Sequence, residues 1–245
     1  MTEAEASTGG ATAARTGLVG RAVGVLLAPR ATYADVTVRP QPLGTLFLVL
    51  AVIVAADATF FSTDSGRQAL LDRQVRTLES FGRQVSDAQY QRFEQMLGSA
   101  PFFISAAQIV VIPAAALVLS GLLLAVFNGP FEGHARFSQV FSVVVHSGAV
   151  MACQQLVTIP LNYARESLSS PTNLTVFLPF LDESSFPARL LGSIDVFVIW
   201  WTISLAIGLG VLYRRRTAPI AWSLFAVCAT AAAVVAAVKS ALSGA

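Results

Sequence analysis

Residues 102–127 read Phe-Phe-Ile-Ser-Ala-Ala-Gln-Ile-Val-Val-Ile-Pro-Ala-Ala-Ala-Leu-Val-Leu-Ser-Gly-Leu-Leu-Leu-Ala-Val-Phe, 26 residues without a charged side chain. At 1.5 Å per residue such a helix is about 39 Å long, more than the roughly 30 Å of bilayer hydrocarbon. Working outward, four further apolar runs reach spanning length, at about 43–62, 139–161, 190–213 and 218–238. The spacing predicts an all-α polytopic membrane bundle of five transmembrane helices. Composition agrees: 55% of the 245 residues are apolar, 12% are charged and mean hydropathy is +0.66, whereas about a quarter of a soluble domain is charged.

The net charge is +2, which provides no basic field for a phosphate backbone and argues against a nucleic-acid partner. Cys153 and Cys228 each fall inside an apolar run; they read as small packing residues, not as a disulfide framework. Fifteen of the 16 basic residues are arginine, a bias that fits a GC-rich bacterial genome and an inner-membrane location.

Residues 1–16 have no apolar periodicity and read as a disordered tail. Residues 17–42 read as an interfacial amphipathic segment. Its apolar stretch, Leu18 to Ala28, is 11 residues long and carries Arg21, too short to cross. Lying in the interface, it would place Arg15, Arg21 and Arg30 near headgroups.

Between the first two spans, residues 64–98 read as an amphipathic hairpin outside the membrane. Its first helix carries Leu70, Leu71, Val75, Leu78 and Phe81 at helical spacing. The second opens on a capping box, Ser86 with Gln89, and presents Tyr90, Phe93, Met96 and Leu97. These stripes need cover, from the membrane or the bundle ends, or from a protein partner. In the second outer loop, 162–189, Asn173-Leu174-Thr175 matches the glycosylation acceptor pattern, which is short enough to arise by chance.

Counted by alternate loops, basic residues tie at eight on each side. Density in short segments breaks the tie: Arg214, Arg215 and Arg216 fill most of one four-residue link, and four arginines precede the first span. That places the amino terminus in the cytoplasm and the carboxyl terminus outside it.

No nucleophile elbow, zinc-protease, phosphate-loop or dinucleotide motif occurs. His134 and His146 lack neighbours with metal-ligand spacing and read as hydrogen-bonded structural residues. No cofactor and no metal are expected. Carboxylates inside apolar runs are the stronger signal, because charge at bilayer depth is costly. Asp57 lies 14 residues into the first span, ~21 Å from Leu43, and Asp195 five residues from Leu190, ~8 Å. With antiparallel spans both fall in the outer third, level with Gln154 and Gln155. A polar cluster of Asp57, Gln154, Gln155 and Asp195 is therefore expected, as a helix fastener or as a solute or proton site. Pro113 is expected to kink the second span. Ser204 and Gly208 make a small-residue face in the fourth.

Three stretches resemble the YIP family of five-span membrane proteins, in its bacterial branch. Leu26-Leu27-Ala28-Pro29-Arg30-Ala31-Thr32-Tyr33 is similar to the segment that precedes its first span. Gly133-His134-Ala135-Arg136-Phe137-Ser138-Gln139-Val140 resembles the loop before span three, and Leu191 to Phe197, including Asp195, followed by Trp200 and Gly208, resembles span four. The likeness covers about 20–240 and extends the five-span domain over 43–240. It implies a cytoplasmic amino terminus and no enzymatic activity. The leading expectation is a membrane scaffold or organiser, with the lipid bilayer, a protein partner or a second copy as associates. The alternative is a small transporter or channel that uses Asp57 and Asp195.

Overall fold

The computed structural model describes residues 17–79, 83–130, 132–166, 168, 171–174 and 194–243. The amino-terminal tail with Arg15, the stripe residue Phe81, Thr175 of the acceptor pattern and the Leu190 start of the fourth run lie outside these residues.

The described chain is helical, in the order α1 (Leu18–Leu27), α2 (Pro29–Val38), α3 (Pro42–Phe61), α4 (Asp64–Glu79), α5 (Asp87–Met96), α6 (Ala100–Asn128), α7 (Phe137–Ser147), α8 (Ala149–Arg165), α9 (Val196–Leu212) and α10 (Thr217–Ser243). Prolines punctuate it: Pro29 and Pro42 open α2 and α3, where a missing amide proton costs nothing and the fixed φ suits a first turn. α6 runs on through Pro113. Three continuous helical stretches are long and apolar enough to cross a membrane: Pro42–Phe61, Asp87–Asn128 and Phe137–Arg165. Val196–Leu212 is apolar but shorter, at 17 residues.

The bundle carries its apolar side chains outward. On α6, Phe102, Val110, Val118 and Leu122 are each more than 60% exposed, an apolar face suited to lipid or to another apolar surface. Inside, hydroxylated residues stand among the buried apolar side chains of the core: Thr45, Ser120, Ser142, Ser147, Thr202 and Ser204 are all buried beside residues such as Val143, Leu205 and Leu209. This is how helices approach closely where no hydrophobic force joins them. Gly208 marks the closest approach, since a Cβ there would sit 2.5 Å from Val143 of α7 and 3.0 Å from the Tyr33 ring of α2. His146 is fully buried. Its Nδ1 donates to the Ser142 carbonyl at 2.7 Å and its Nε2 lies 2.9 Å from Thr45 Oγ1, a structural hydrogen-bonded role as expected.

The amino-terminal helices correct the placement expected of Arg21. They pack into the bundle: Val25, Tyr33 and Val36 are 0% exposed, and the Tyr33 hydroxyl shares a 2.8 Å hydrogen bond with Ser204 of α9. Arg21 does not reach for headgroups. It is buried, bound to Asp35 at 3.0 Å and Gln41 at 3.2 Å, because a guanidinium in this interior needs a carboxylate and Asp35 comes back beside it on α2.

The second helix of the expected hairpin forms with its capping box in place, Gln89 N donating to Ser86 Oγ and Ser86 N to Gln89 Oε1. α4 lays Ala69, with Leu70, against Phe60 and Phe61 of α3, with Ile104 and Ile159 alongside. Thus α4 rests on the end of the bundle, while Tyr90 and Met96 of α5 stay exposed.

α9 ends in a turn of the Schellman type, with Arg215 N bonded to Gly210 O and Arg214 N to Val211 O. The left-handed position, where glycine is usual, holds Arg214 at φ 52°. A side chain there costs about 1 kcal/mol relative to glycine.

Candidate functional site

A cavity of about 610 Å³ opens where α3, α4, α6 and α8 meet the start of α9. All four residues of the expected polar cluster, Asp57, Gln154, Gln155 and Asp195, line it. Their individual tasks differ from the simple pairing expected.

Asp57 sits one turn before the end of α3 and is 7% exposed. Its carboxylate accepts from Gln155 Nε2 of α8, 3.2 Å from each oxygen, and from Gln108 Nε2 of α6. One anion thus ties three helices, and Thr158 Oγ1 orients the Gln155 amide by donating to its oxygen at 3.3 Å. Two amide donors stabilise a buried carboxylate without a cation in contact. Gln154 shares the wall, but the amide that reaches Asp57 is Gln155, as the 3.6-residue turn allows only one of two neighbours to face it.

Asp195 requires a correction. Instead of lying five residues inside a helix, it is the N-cap of α9 and accepts from Phe197 N at 2.8 Å. Aspartate is a strong N-cap because it satisfies an amide that the first turn leaves without a partner. Its other oxygen accepts from Thr172 Oγ1 at 2.6 Å. The backbone pairs as an isolated antiparallel bridge between Asn173 and Asp195, so residues 172–174 are stitched onto the helix start.

Four polar residues of the cavity wall were not expected: Arg73 of α4, Gln108, Thr158 and Asn162. Gln108 had a visible signal, as the one amide in the uncharged run 102–127. Gln108 Oε1 and Asn162 Oδ1 are buried and have no hydrogen-bond partner among the described residues. The site is rich in acceptors, and among the described residues that line it no nucleophile is paired with a base. Among the described residues no three His, Cys, Asp or Glu side chains gather to hold a metal ion.

Of the described residues that carried the family likeness, Asp195 lines the cavity and the others named below sit at helix junctions. Pro29 opens α2, and Arg30 Nη2 donates to Thr217 Oγ1 at 3.4 Å. Gly133 leaves room for the Tyr213 ring, 2.5 Å from where a Cβ would be. Gln139 accepts from Arg136 N and donates to the Thr37 carbonyl at 2.9 Å, joining α7 to α2. Phe137 stacks on Phe141, and Phe197 meets Trp200 with ring centroids 5.9 Å apart. With Tyr33 and Gly208 already placed at the α2–α9 contact, these positions form joints, not the wall of the cavity.

The fold and this pattern of joints define a class, a transmembrane helical bundle fastened by hydroxyl and amide contacts. The family model described as the Yip1 domain matches residues 23–238, and the chain belongs to that family. No curated protein and no solved structure matches the chain.

Proposed function

We propose that the chain is a non-enzymatic membrane scaffold or organiser, which acts through its surfaces and does not turn over a substrate. The observation that carries this reading is the use of both carboxylates as fasteners: Asp57 holds α6 and α8 to α3, and Asp195 caps α9 and binds Thr172. A carboxylate that must bind and release a proton or solute is poorly served by partners that fix it from two sides. The reading includes five crossings, with α9 and α10 joining the three long helical stretches, in a bacterial inner membrane with the amino terminus in the cytoplasm. The arginine density of the 214–217 link supports that orientation. A reporter active only in the cytoplasm should work after Arg216 and fail at Ser80 or the carboxyl terminus.

The second reading, a small transporter or channel, draws on the cavity itself, which brings Asp57 and Asp195 together with two partnerless amide oxygens. Asp57→Asn and Asp195→Asn separate the two readings. A scaffold keeps its abundance in the membrane, its native complex size and its growth phenotype with either substitution. Normal abundance with complete loss of phenotype would favour the transporter.

A further inference from the structure

The cavity beside Asp57 leaves acceptors unused. Gln108 Oε1 of α6 and Asn162 Oδ1 of α8 are buried in its wall and have no hydrogen-bond partner among the described residues; Asn162 is only 7% exposed. A buried polar group in that state calls for a donor from outside the chain. Asp57 itself has room for one. Its Oδ2 accepts from both Gln155 and Gln108, whereas Oδ1 accepts from Gln155 at 3.2 Å, and each carboxylate oxygen can take two bonds. Three acceptors with capacity to spare therefore border one cavity, from α3, α6 and α8.

We propose that the cavity binds a small zwitterion with an apolar body, an α-amino acid of the leucine type, with its ammonium toward Asp57, Gln108 and Asn162 and its carboxylate toward Arg73. An ammonium carries three donors and no acceptor, which matches the three acceptors. Arg73 of α4 is exposed and lines the same cavity, yet it forms no ion pair with Asp57: the ion pairs among the described residues are Arg21–Asp35 and Arg67–Asp64. The wall therefore presents both signs of charge, held apart. That suits a ligand with both signs and opposes a bare cation or a bare anion. A guanidinium takes a carboxylate by paired hydrogen bonds. The rest of the wall is largely apolar, with Ile53, Ile104 and Met151 among it, and a cavity of about 610 Å³ with a few polar groups on apolar walls is the make-up of a small-molecule site.

Binding need not loosen the fastener. Gln108 and Gln155 keep their bonds to Asp57 while the ammonium uses what they leave, so the ligand adds a partner without displacing one. Thr158 holds the Gln155 amide. Asp195, engaged with Phe197 N and Thr172, shares the wall and takes no part in the proposed contact. The site requires no turnover. It stands with a scaffold and with a transporter alike, and its failure would still leave Asp57 a fastener.

The test uses the full-length protein in mild detergent and isothermal titration calorimetry with three matched probes: leucine, 3-methylbutylamine, which lacks the carboxylate, and 4-methylpentanoate, which lacks the ammonium. Leucine should bind about tenfold more tightly than either, because each charged contact it adds contributes on that scale. Arg73→Gln should leave leucine no tighter than the amine. Asn162→Leu exchanges an unpartnered amide for an apolar group of similar shape. It should weaken leucine and the amine alike by about tenfold, while the unfolding midpoint without ligand stays level or rises. That pair of readings separates a lost contact from a lost fold. No leucine binding, or equal affinity for the three probes, overturns the proposal. So does a leucine advantage that survives Arg73→Gln, or an affinity unchanged in Asn162→Leu. A lowered midpoint in Asn162→Leu would show the amide engaged within the bundle, which overturns the proposal as well.

Discussion

The two ends of this bundle treat charge in opposite ways. At the Asp57 end, each carboxylate is matched by amide or hydroxyl donors from other elements, and Arg73 shares the cavity wall. At the other end, four arginines meet around Thr217 with no acidic residue in the cavity wall. Buried polar groups must find partners within the protein, since leaving one unmatched costs about 1–3 kcal/mol; exposed guanidiniums at a membrane edge have water and phosphate instead. Polarity at the first end joins helices through buried carboxylate contacts, whereas at the second it is exposed and cationic among the described lining residues, with Arg30 donating to Thr217.

The sharpest way to break this comparison is Asp57→Leu. It removes the acceptor for Gln108 and Gln155 together and should destabilise the bundle by about 2 kcal/mol, read as a lower unfolding midpoint in detergent. Asp57→Asn keeps one acceptor and should cost only about 0.6 kcal/mol. Equal effects of the two would mean that Asp57 fastens nothing. Next in size is Asp195→Ala, about 1 kcal/mol from the lost cap, with most of it recovered in Asp195→Asn because asparagine caps as well.

At the arginine end the expected sign reverses. Arg214→Gly relieves the left-handed backbone and should stabilise the chain by up to about 1 kcal/mol; a loss of stability would show that the guanidinium is engaged within the bundle. The smallest effect concerns Tyr33, one turn beyond Arg30. Burial pushes its phenol above the ordinary range, and the Ser204 hydrogen bond opposes that shift. The folded chain keeps this proton where the unfolded chain loses it, so stability is full below pH about 10 and falls as pH rises beyond it. Tyr33→Phe should flatten that alkaline fall, and an unchanged slope would assign the fall to other groups.

Much of the fold could be read in the residues because long apolar runs and local capping depend on near neighbours. The run 102–127 lies within α6, and Ser86 and Gln89 close their box three residues apart. The small-residue face of Ser204 and Gly208 was legible as packing, since both are pressed against α2 or α7. What escaped were choices settled at long range. Arg21 looked interfacial because its partner Asp35 follows a helix break at Pro29. Asp195 looked intramembrane because hydropathy runs on through it, although its carboxylate starts the helix. Asp57, Gln154, Gln155 and Asp195, expected as one polar cluster from their depth along antiparallel spans, line a common cavity, whereas Arg73 and Asn162 come from a hairpin helix and a helix end whose placement no periodicity reports.

The Tyr33–Ser204 contact joins residues 171 apart in sequence, which imposes a schedule on biosynthesis. Ribosomes add about 5–20 residues per second, so α2 waits roughly 10–35 s after its own synthesis before its partner helix exists. During that interval α2 lacks the α9 side of its packing, including the Ser204 partner of Tyr33. The Arg21–Asp35 ion pair joins the first two helices without help from α9, and the close contact of Tyr33 with Gly208 can form only once the fourth apolar run has been made.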